Sequence, residues 1–294
     1  YNGLRLPLAF GLVVMAYLGL KGAILAISLA HLAACLAGSY FLYRKGWKWD
    51  GVDLSLPKAW FKGFSIPLLS IVRSWIASTD CPLLAAIAGS EIPVAYMSAS
   101  YSLKSPVVYG QTTASGLYAK MLTGGEGRDV EEISRLYFAI TTFMVVTVIC
   151  LASPLMSLLK PEYADAYWIA IITVIYTAIH GLLATFGSAV AGKETVDLKP
   201  SVGIKDFIKS FLFKWSFLSM KVHLLGLALG SLLAVIFLMW KDPILVASAY
   251  PIGWLITWCI SASKFYRMAK RVVSFNLPFR AVSYTHLRAH ETSL

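Results

Sequence analysis

Two long apolar stretches stand back to back in residues 60–122, and they constrain the fold more than any other feature of the chain. The first covers residues 60–89 and the second residues 92–122, with only a short polar break around Glu91 between them. A helix needs about 20 mainly apolar residues to cross the hydrocarbon core of a bilayer. Both stretches reach that length, so the sequence predicts two consecutive membrane crossings here.

The composition indicates a membrane protein throughout. Hydrophobic residues make up 58% of the chain and charged residues 14%, whereas soluble domains are about half apolar and about a quarter charged. The net charge is +11, and the basic residues are spread over several loops without an arginine-rich arm. This distribution is typical of cytoplasmic loops rich in Lys and Arg. No nucleic-acid recognition motif accompanies the charge, so we expect no nucleic-acid partner.

The apolar runs predict an all-α fold, a polytopic transmembrane bundle of about eight helices. Every second break between the runs is basic, which places the linker after Arg44 and the tail after Ser263 on the cytoplasmic side. One missed or extra helix would scramble this alternation, so it supports the set of spans. The predicted spans cover residues 6–17, which is short, 20–43, 60–89, 92–122, 136–159, 167–191, 222–240 and 243–263.

Five polar residues within these spans are candidates for a site: Arg73, Asp80, Lys104, Gln111 and His180. Charged residues at membrane depth are costly, and they usually face a bundle interior or a water-filled cavity. We therefore expect these side chains to line a substrate pathway through the membrane. Arg73 and Asp80 are seven positions apart, about 10 Å along one helix face.

Each candidate also has a structural interpretation that the sequence leaves open. Arg73 and Asp80 could form only a structural pair, and Lys104 could reach the interface or a backbone carbonyl. His180 could be a histidine that serves helix packing. His31 and His223 lie near small residues on predicted spans, and we expect them to be packing residues.

Metal and cofactor motifs are missing from the sequence. The four cysteines lie within apolar runs without a CxxC pair, so neither a disulfide framework nor a metal site is predicted. A glycine-rich loop in residues 123–134 lacks the Gly-Lys-Ser/Thr ending of a phosphate-binding loop. We expect no cofactor.

Several segments resemble the polysaccharide flippases of the multidrug/oligosaccharidyl-lipid/polysaccharide superfamily. The stretch FSIPLLSIVRSWIASTDCPLLAAIAGSEIPVAYMSASYSL resembles the start of the second lobe in that family. The stretch LASPLMSLLKPEYADAYWIA is similar to the family's run into a later helix, and LGLKGAILAISLAHLAACLAGSYFLYRK is similar to the last helix of its first lobe. The resemblance implies two helical lobes around a central cavity that opens alternately to either side.

The resemblance also implies a division of the chain. Residues 1–44 would be the end of a truncated first lobe, 45–58 a cytoplasmic linker between the lobes, 59–263 the second lobe and 264–281 a basic cytoplasmic tail. Residues 282–294 include VSYTHLRAHET, which resembles a translated sequencing adapter, and we expect this tail to be non-native. The chain would then be a fragment at both ends.

The function implied by the resemblance is transport, without enzyme activity, of a lipid-linked anionic sugar across the plasma membrane, with membrane lipids around the bundle. A cation-coupled multidrug or metabolite antiporter of the same superfamily, with Asp80 as the coupling carboxylate, is an alternative. A membrane-embedded glycosyl- or phosphotransferase is a second alternative, because such enzymes hold a divalent metal with clustered carboxylates. The candidate carboxylates for that reaction are Asp50, Asp53, Glu126, Asp129, Glu131 and Glu132.

Overall fold

The computed structural model describes residues 7–15, 17–45, 65–194 and 208–276. Every regular element in these ranges is helical, which confirms the predicted all-α helix bundle. Residues 46–58 of the linker predicted at 45–58, and the tail predicted at 282–294, lie outside the described residues. The helices are α1 (Gly19–Arg44), α2 (Ser65–Ser78), α3 (Asp80–Ala88), α4 (Ile92–Ser102), α5 (Ser105–Gly110), α6 (Thr113–Leu122), α7 (Gly127–Leu159), α8 (Tyr167–Lys193), α9 (Phe211–Leu238) and α10 (Pro243–Val272), with a π-helical stretch at Phe10–Met15 and a 3-10 helix at Pro161–Ala166.

Six helical segments in the described part are long and apolar enough to cross a membrane. Three of the predicted spans do not form one long helix. The described residues of the span at 6–17 form a short helical stretch, the span at 60–89 is interrupted at Thr79 between α2 and α3, and the span at 92–122 is divided into α4, α5 and α6. The six qualifying segments are Lys21–Arg44, Leu68–Ala88, Gly127–Leu159, Pro161–Lys193, Phe211–Leu238 and Pro243–Val272.

The chain separates into two compact units, Tyr1–Pro57 and Lys58–Leu294. In the first unit, the backbone N–H of Leu18 donates to the carbonyl of Leu12 at 3.2 Å and joins the π-helical stretch to α1. The second unit holds all the other described helices. The assignment of the two units to two transporter lobes stays a prediction.

Two interruptions in the second unit follow from proline chemistry. Proline lacks the N–H that would bond to the carbonyl four residues earlier, and its ring crowds that carbonyl. Helix α2 ends at Ser78, four positions before Pro82, and α4 ends at Ser102, four positions before Pro106. Both breaks therefore lie where a proline removes a helical hydrogen bond, whereas Pro154 and Pro251 lie inside the continuous helices α7 and α10.

Helices α9 and α10 pack closely against each other, with glycines at the contact. Gly226 and Gly230 form a GxxxG pattern on α9, and a Cβ added to Gly253 of α10 would lie 2.8 Å from the backbone nitrogen of Gly230. Small residues of this kind let membrane helices approach until their backbones touch. Trp254 and Tyr250 pack over Gly226 and Gly230 and complete the contact.

Three chain breaks lie at one end of the second unit: the turn between α6 and α7, the connection between α8 and α9, and the segment after α10. The Glu194 carboxylate after α8 accepts the backbone N–H of Phe211 at 2.8 Å. Glu131 near the start of α7 accepts the backbone N–H of Asn276, after α10, at 2.8 Å. A Cβ at Gly192 would lie 2.8 Å from the Tyr118 carbonyl on α6. The fold thus groups these chain breaks, while the side of the membrane on which they lie stays a prediction.

Three helices extend beyond their predicted spans. Helix α7 begins at Gly127 because Glu126 and Asp129 form a capping box that satisfies backbone N–H groups at its start. Helix α9 begins at Phe211, where the Ser210 hydroxyl accepts the backbone N–H of Phe213 at 3.1 Å. Helix α10 continues to Val272, so the basic residues predicted to begin a tail at residue 264 belong to its last turns.

Candidate functional site

A cavity of about 210 Å³ lies within the second unit and brings four of the five predicted site residues together. Asp80, Lys104, Gln111 and His180 all line it. They come from three separate parts of the chain, so their meeting is a consequence of the fold. The lining also includes Tyr176, Thr177, His223, Trp254 and Trp258. A role for any of these residues in substrate binding stays a prediction.

Helix interruptions deliver three of the polar residues to this cavity. Asp80 is the first residue of α3, directly after the break at Thr79. Lys104 and Gln111 flank α5 at its two ends. Non-helical backbone at membrane depth is tolerated where it is buried in protein or lines a watery cavity. The cavity therefore accounts for the presence of interrupted helices in this part of the bundle, and the interruptions place polar residues in its wall.

The break between α5 and α6 contains no proline, and side-chain hydroxyls stabilise it. Thr112 donates to the carbonyl of Tyr109 at 2.7 Å, and Thr113 donates to that of Gly110 at 2.8 Å. Ser115 donates to the carbonyl of Thr112 at 2.6 Å. Each of these bonds brings a side-chain donor to a backbone carbonyl beside the break. Gln111, which lines the cavity, lies in this turn.

Asp80 and Lys104 are joined through a tyrosine that the sequence did not single out as a site residue. The Tyr101 hydroxyl donates to Asp80 Oδ2 at 2.8 Å, and the backbone N–H of Cys81 donates to Oδ1 at 2.8 Å. The Lys104 Nζ lies 4.0 Å from the centroid of the Tyr101 ring. A cation over an aromatic face is attracted by the ring's electron density. Tyr101 thus contacts both charged groups at once.

His180 and His223 line the cavity together with two tryptophans. The ring centroids of His180 and Trp258 are 4.7 Å apart, and those of His223 and Trp254 are 5.4 Å apart. The Nδ1 of His223 lies 2.8 Å from the Ser219 carbonyl. That carbonyl can only accept, so Nδ1 carries a proton. His223 was expected to be a packing residue, and it both packs and lines the cavity.

Arg73 lies beside this group and does not line the cavity. Its guanidinium is 3.5 Å from the Ser219 hydroxyl on α9 and 3.4 Å from the Ser70 hydroxyl on its own helix. In the described part of the chain, no ion pair within 4.0 Å joins Arg73 to Asp80. The break at Thr79 separates the two residues into different helices. Arg73 and Asp80 therefore lie on two successive helices and not on one face of a single helix.

Gln111 approaches α8 closely because residue 181 is a glycine. A Cβ at Gly181 would lie 2.8 Å from the Gln111 Cγ and would overlap the Tyr137 hydroxyl. That hydroxyl is fixed, since it donates to the Ala178 carbonyl at 2.6 Å. Gly181 thus sets the distance between α8 and the interrupted helix at the position next to His180.

We expect Gly181→Ala to lower the stability of the protein by about 1–3 kcal/mol, the usual cost of overpacking a filled interior. The new methyl would displace Tyr137 from its carbonyl partner. Thermal unfolding of the purified protein in detergent measures the effect. Gly116→Ala is the matched control, because a Cβ there meets nothing within 4 Å. A Gly181→Ala protein that unfolds at or above the wild-type temperature would contradict this packing argument.

The carboxylates considered for an enzyme are placed differently from the cavity. Asp129 caps α7 and pairs with Lys120 at 2.7 Å, while Glu131 holds the segment after α10. Glu132 lies 3.8 Å from the same lysine. Asp50 and Asp53 lie outside the described residues. Within the described ranges, no group of three or more His, Cys, Asp or Glu residues is placed to hold a metal ion.

No family model, curated protein or solved structure matches this chain. The class of the protein therefore rests on its own helices and site. The long apolar helices define a multi-pass membrane protein. Its second unit contains a cavity whose lining includes polar residues from interrupted helices.

Proposed function

We propose that the chain is part of a transporter that carries lipid-linked oligosaccharide or polysaccharide precursors across the plasma membrane by alternating access. The observation that carries this proposal is Lys104. It lies at a helix break, lines a cavity inside a membrane bundle, and has no carboxylate within 4.0 Å in the described part of the chain. A cation kept in such a place needs an anionic partner, and a substrate phosphate would supply one.

The chemistry of the lining supports an anionic head group that also carries hydroxyls. Lysine binds phosphate as a point charge, and Arg73 adds a second positive charge next to the cavity. Gln111, Thr177 and His180 add hydrogen-bonding groups to the cavity lining that contains Lys104. Sugar hydroxyls can both donate to and accept from such groups. A site with few cations and several polar neighbours suits a substrate that must bind and then be released.

The size of the cavity limits what it can enclose. Its volume of about 210 Å³ is below the roughly 300–1,000 Å³ of pockets that enclose a drug-sized ligand. We therefore expect the cavity to receive the phosphate-bearing part of the substrate only. The prenyl chain would remain in lipid, and the rest of the sugar would lie outside.

The antiporter alternative has one observation in its favour. Asp80 is a carboxylate in the cavity wall with only 4% of its surface exposed. A carboxylate in that position could serve a coupling cation. However, both of its oxygens already accept hydrogen bonds, from Cys81 and Tyr101. A preference for an anionic or a cationic substrate distinguishes the flippase from the antiporter more directly than the identity of a coupling ion does.

The test is a comparison of two amphiphiles of opposite charge, with the purified protein in lipid nanodiscs. We expect saturable binding of a prenyl-diphosphate sugar, measured by thermophoresis, and at least about tenfold weaker binding of a cationic aromatic drug of similar size. The same prenyl chain with a neutral head group controls for partitioning into lipid. Preference for the cationic compound would overturn the flippase assignment in favour of the antiporter.

A further inference from the structure

We infer that Tyr101 is a positioning residue that keeps Asp80 away from Lys104 and thereby leaves the lysine free to bind an oxyanion. This inference deepens the proposed function, and it rests on the premise that the cavity binds an anionic group. It assigns the ligand contact to Lys104. It gives Asp80 a supporting role rather than a place among the groups that bind substrate.

The first step is the position of the carboxylate. Asp80 Oδ1 accepts the backbone N–H of Cys81, and Oδ2 accepts the Tyr101 hydroxyl, each at 2.8 Å. Two such bonds fix the side chain on both oxygens. Hydrogen bonds to an ionised acceptor are stronger than those between neutral groups. The carboxylate is therefore held at the wall of the cavity, at the start of α3.

The second step is the position of the lysine. The ammonium group of Lys104 lies 4.0 Å from the centre of the Tyr101 ring, within the range of a cation–π contact. Lys104 immediately precedes α5, whereas Tyr101 lies in the last turn of α4. The proline break between these helices lets the lysine fold back over the ring. The ring then holds the ammonium without removing its charge.

The third step is the charge balance of the three groups together. Lys104 and Asp80 lie close enough to attract each other, yet no contact within 4.0 Å joins them in the described ranges. The phenol stands between them and satisfies the carboxylate through its hydroxyl. Without that hydroxyl, the strongest partner left for the freed oxygen of Asp80 would be the lysine. A direct ion pair would neutralise the cation that the substrate needs.

A purely structural role for Tyr101 makes a different prediction. If the hydroxyl only satisfied a buried carboxylate, its loss would weaken the fold around Asp80. Removing the carboxylate charge would then restore stability but would have no specific effect on anion affinity. In our inference, removing that charge restores anion binding itself. A double-substitution cycle therefore distinguishes the two roles.

The experiment measures the binding of inorganic diphosphate and of farnesyl diphosphate to the protein in nanodiscs. We expect Tyr101→Phe, which keeps the ring, to weaken binding of either probe about tenfold. Adding Asp80→Asn to that variant is expected to restore affinity to within about threefold of wild type. Asp80→Asn alone should bind at least as tightly as wild type. Tighter binding of farnesyl than of inorganic diphosphate would identify the anion as a lipid head group.

Tyr96→Phe is the matched control, because it removes the same hydroxyl from the same helix at a residue that packs on Tyr163. Unchanged binding by Tyr101→Phe would overturn the inference, as would a double variant no better than the single one. Loss of binding in Asp80→Asn alone would also overturn it. If the wild type binds neither probe, the proposed function fails as well. If the wild type binds a probe and all the variants bind it equally well, the proposed function stands and only the role of Tyr101 is refuted.

Discussion

Replacing Lys104 with glutamine is expected to reduce the affinity for a prenyl diphosphate by about ten- to a hundredfold. Loss of one charged hydrogen bond costs about 1.5–3 kcal/mol, which corresponds to that range. Glutamine has a similar length and can still donate, so the variant removes the charge and little else. Binding isotherms of farnesyl diphosphate in nanodiscs would give the ratio.

The same substitution should leave the protein at least as stable as before. A cation at membrane depth is costly, and the lysine has no carboxylate within 4.0 Å in the described part of the chain. Lys160→Gln is the matched control, because Lys160 lies between two spans and pairs with Glu162. A Lys104→Gln protein that binds diphosphate as well as the Lys160→Gln protein would refute the assignment of the cavity. Loss of the folded protein would refute the claim that this charge serves binding rather than structure.

Gly253→Val is expected to prevent formation of the α9–α10 pair and to abolish accumulation of folded protein. The Cβ at this position would lie 2.8 Å from the Gly230 nitrogen and 3.0 Å from the Gly226 carbonyl oxygen. Both are backbone atoms, so neither can move aside as the end of a side chain could. We expect the cost to exceed the usual overpacking penalty of about 1–3 kcal/mol.

Size-exclusion profiles and thermal unfolding in detergent would measure this effect. Gly116→Val is the control, since that glycine has open space around it. The effect should also reach the site, because Trp254, adjacent to Gly253, lines the cavity and packs on Gly226. A monodisperse Gly253→Val protein with a wild-type unfolding temperature would contradict the close crossing.

The sequence located much of the candidate site through a single physical rule. Ionisable and amide side chains are expensive in hydrocarbon, so Asp80, Lys104, Gln111 and His180 stood out within apolar runs. All four line one cavity. The rule failed to place Arg73 in the lining, because it reports the cost of a charge and not the direction in which the side chain points.

Other residues of the site carry no such signal. Tyr101, Trp254 and Trp258 are aromatic residues of a kind that membrane spans contain for packing or for the interface. The contact of Tyr101 with Asp80 depends on how α3 and α4 meet, and that of Trp258 with His180 depends on how α8 and α10 meet. Trp254 packs on His223 of α9. The apolar and small neighbours of His223 along the chain predict a packing residue, whereas in the folded structure His223 also lines the cavity.

The sequence itself determined the helical class of this protein and the approximate extent of its spans. In the hydrocarbon core every backbone N–H and C=O needs a hydrogen-bond partner, and a helix supplies these partners within its own segment. Pro82 and Pro106 favour the two helix breaks before them through local chemistry, although Pro154 and Pro251 lie inside continuous helices. Only the tertiary structure decided that residues at those breaks share one cavity, and that Tyr101 contacts both Asp80 and Lys104. The physical reason is that such contacts depend on the distances between helices, and at Gly181 and Gly253 those distances are set by the absence of a side chain.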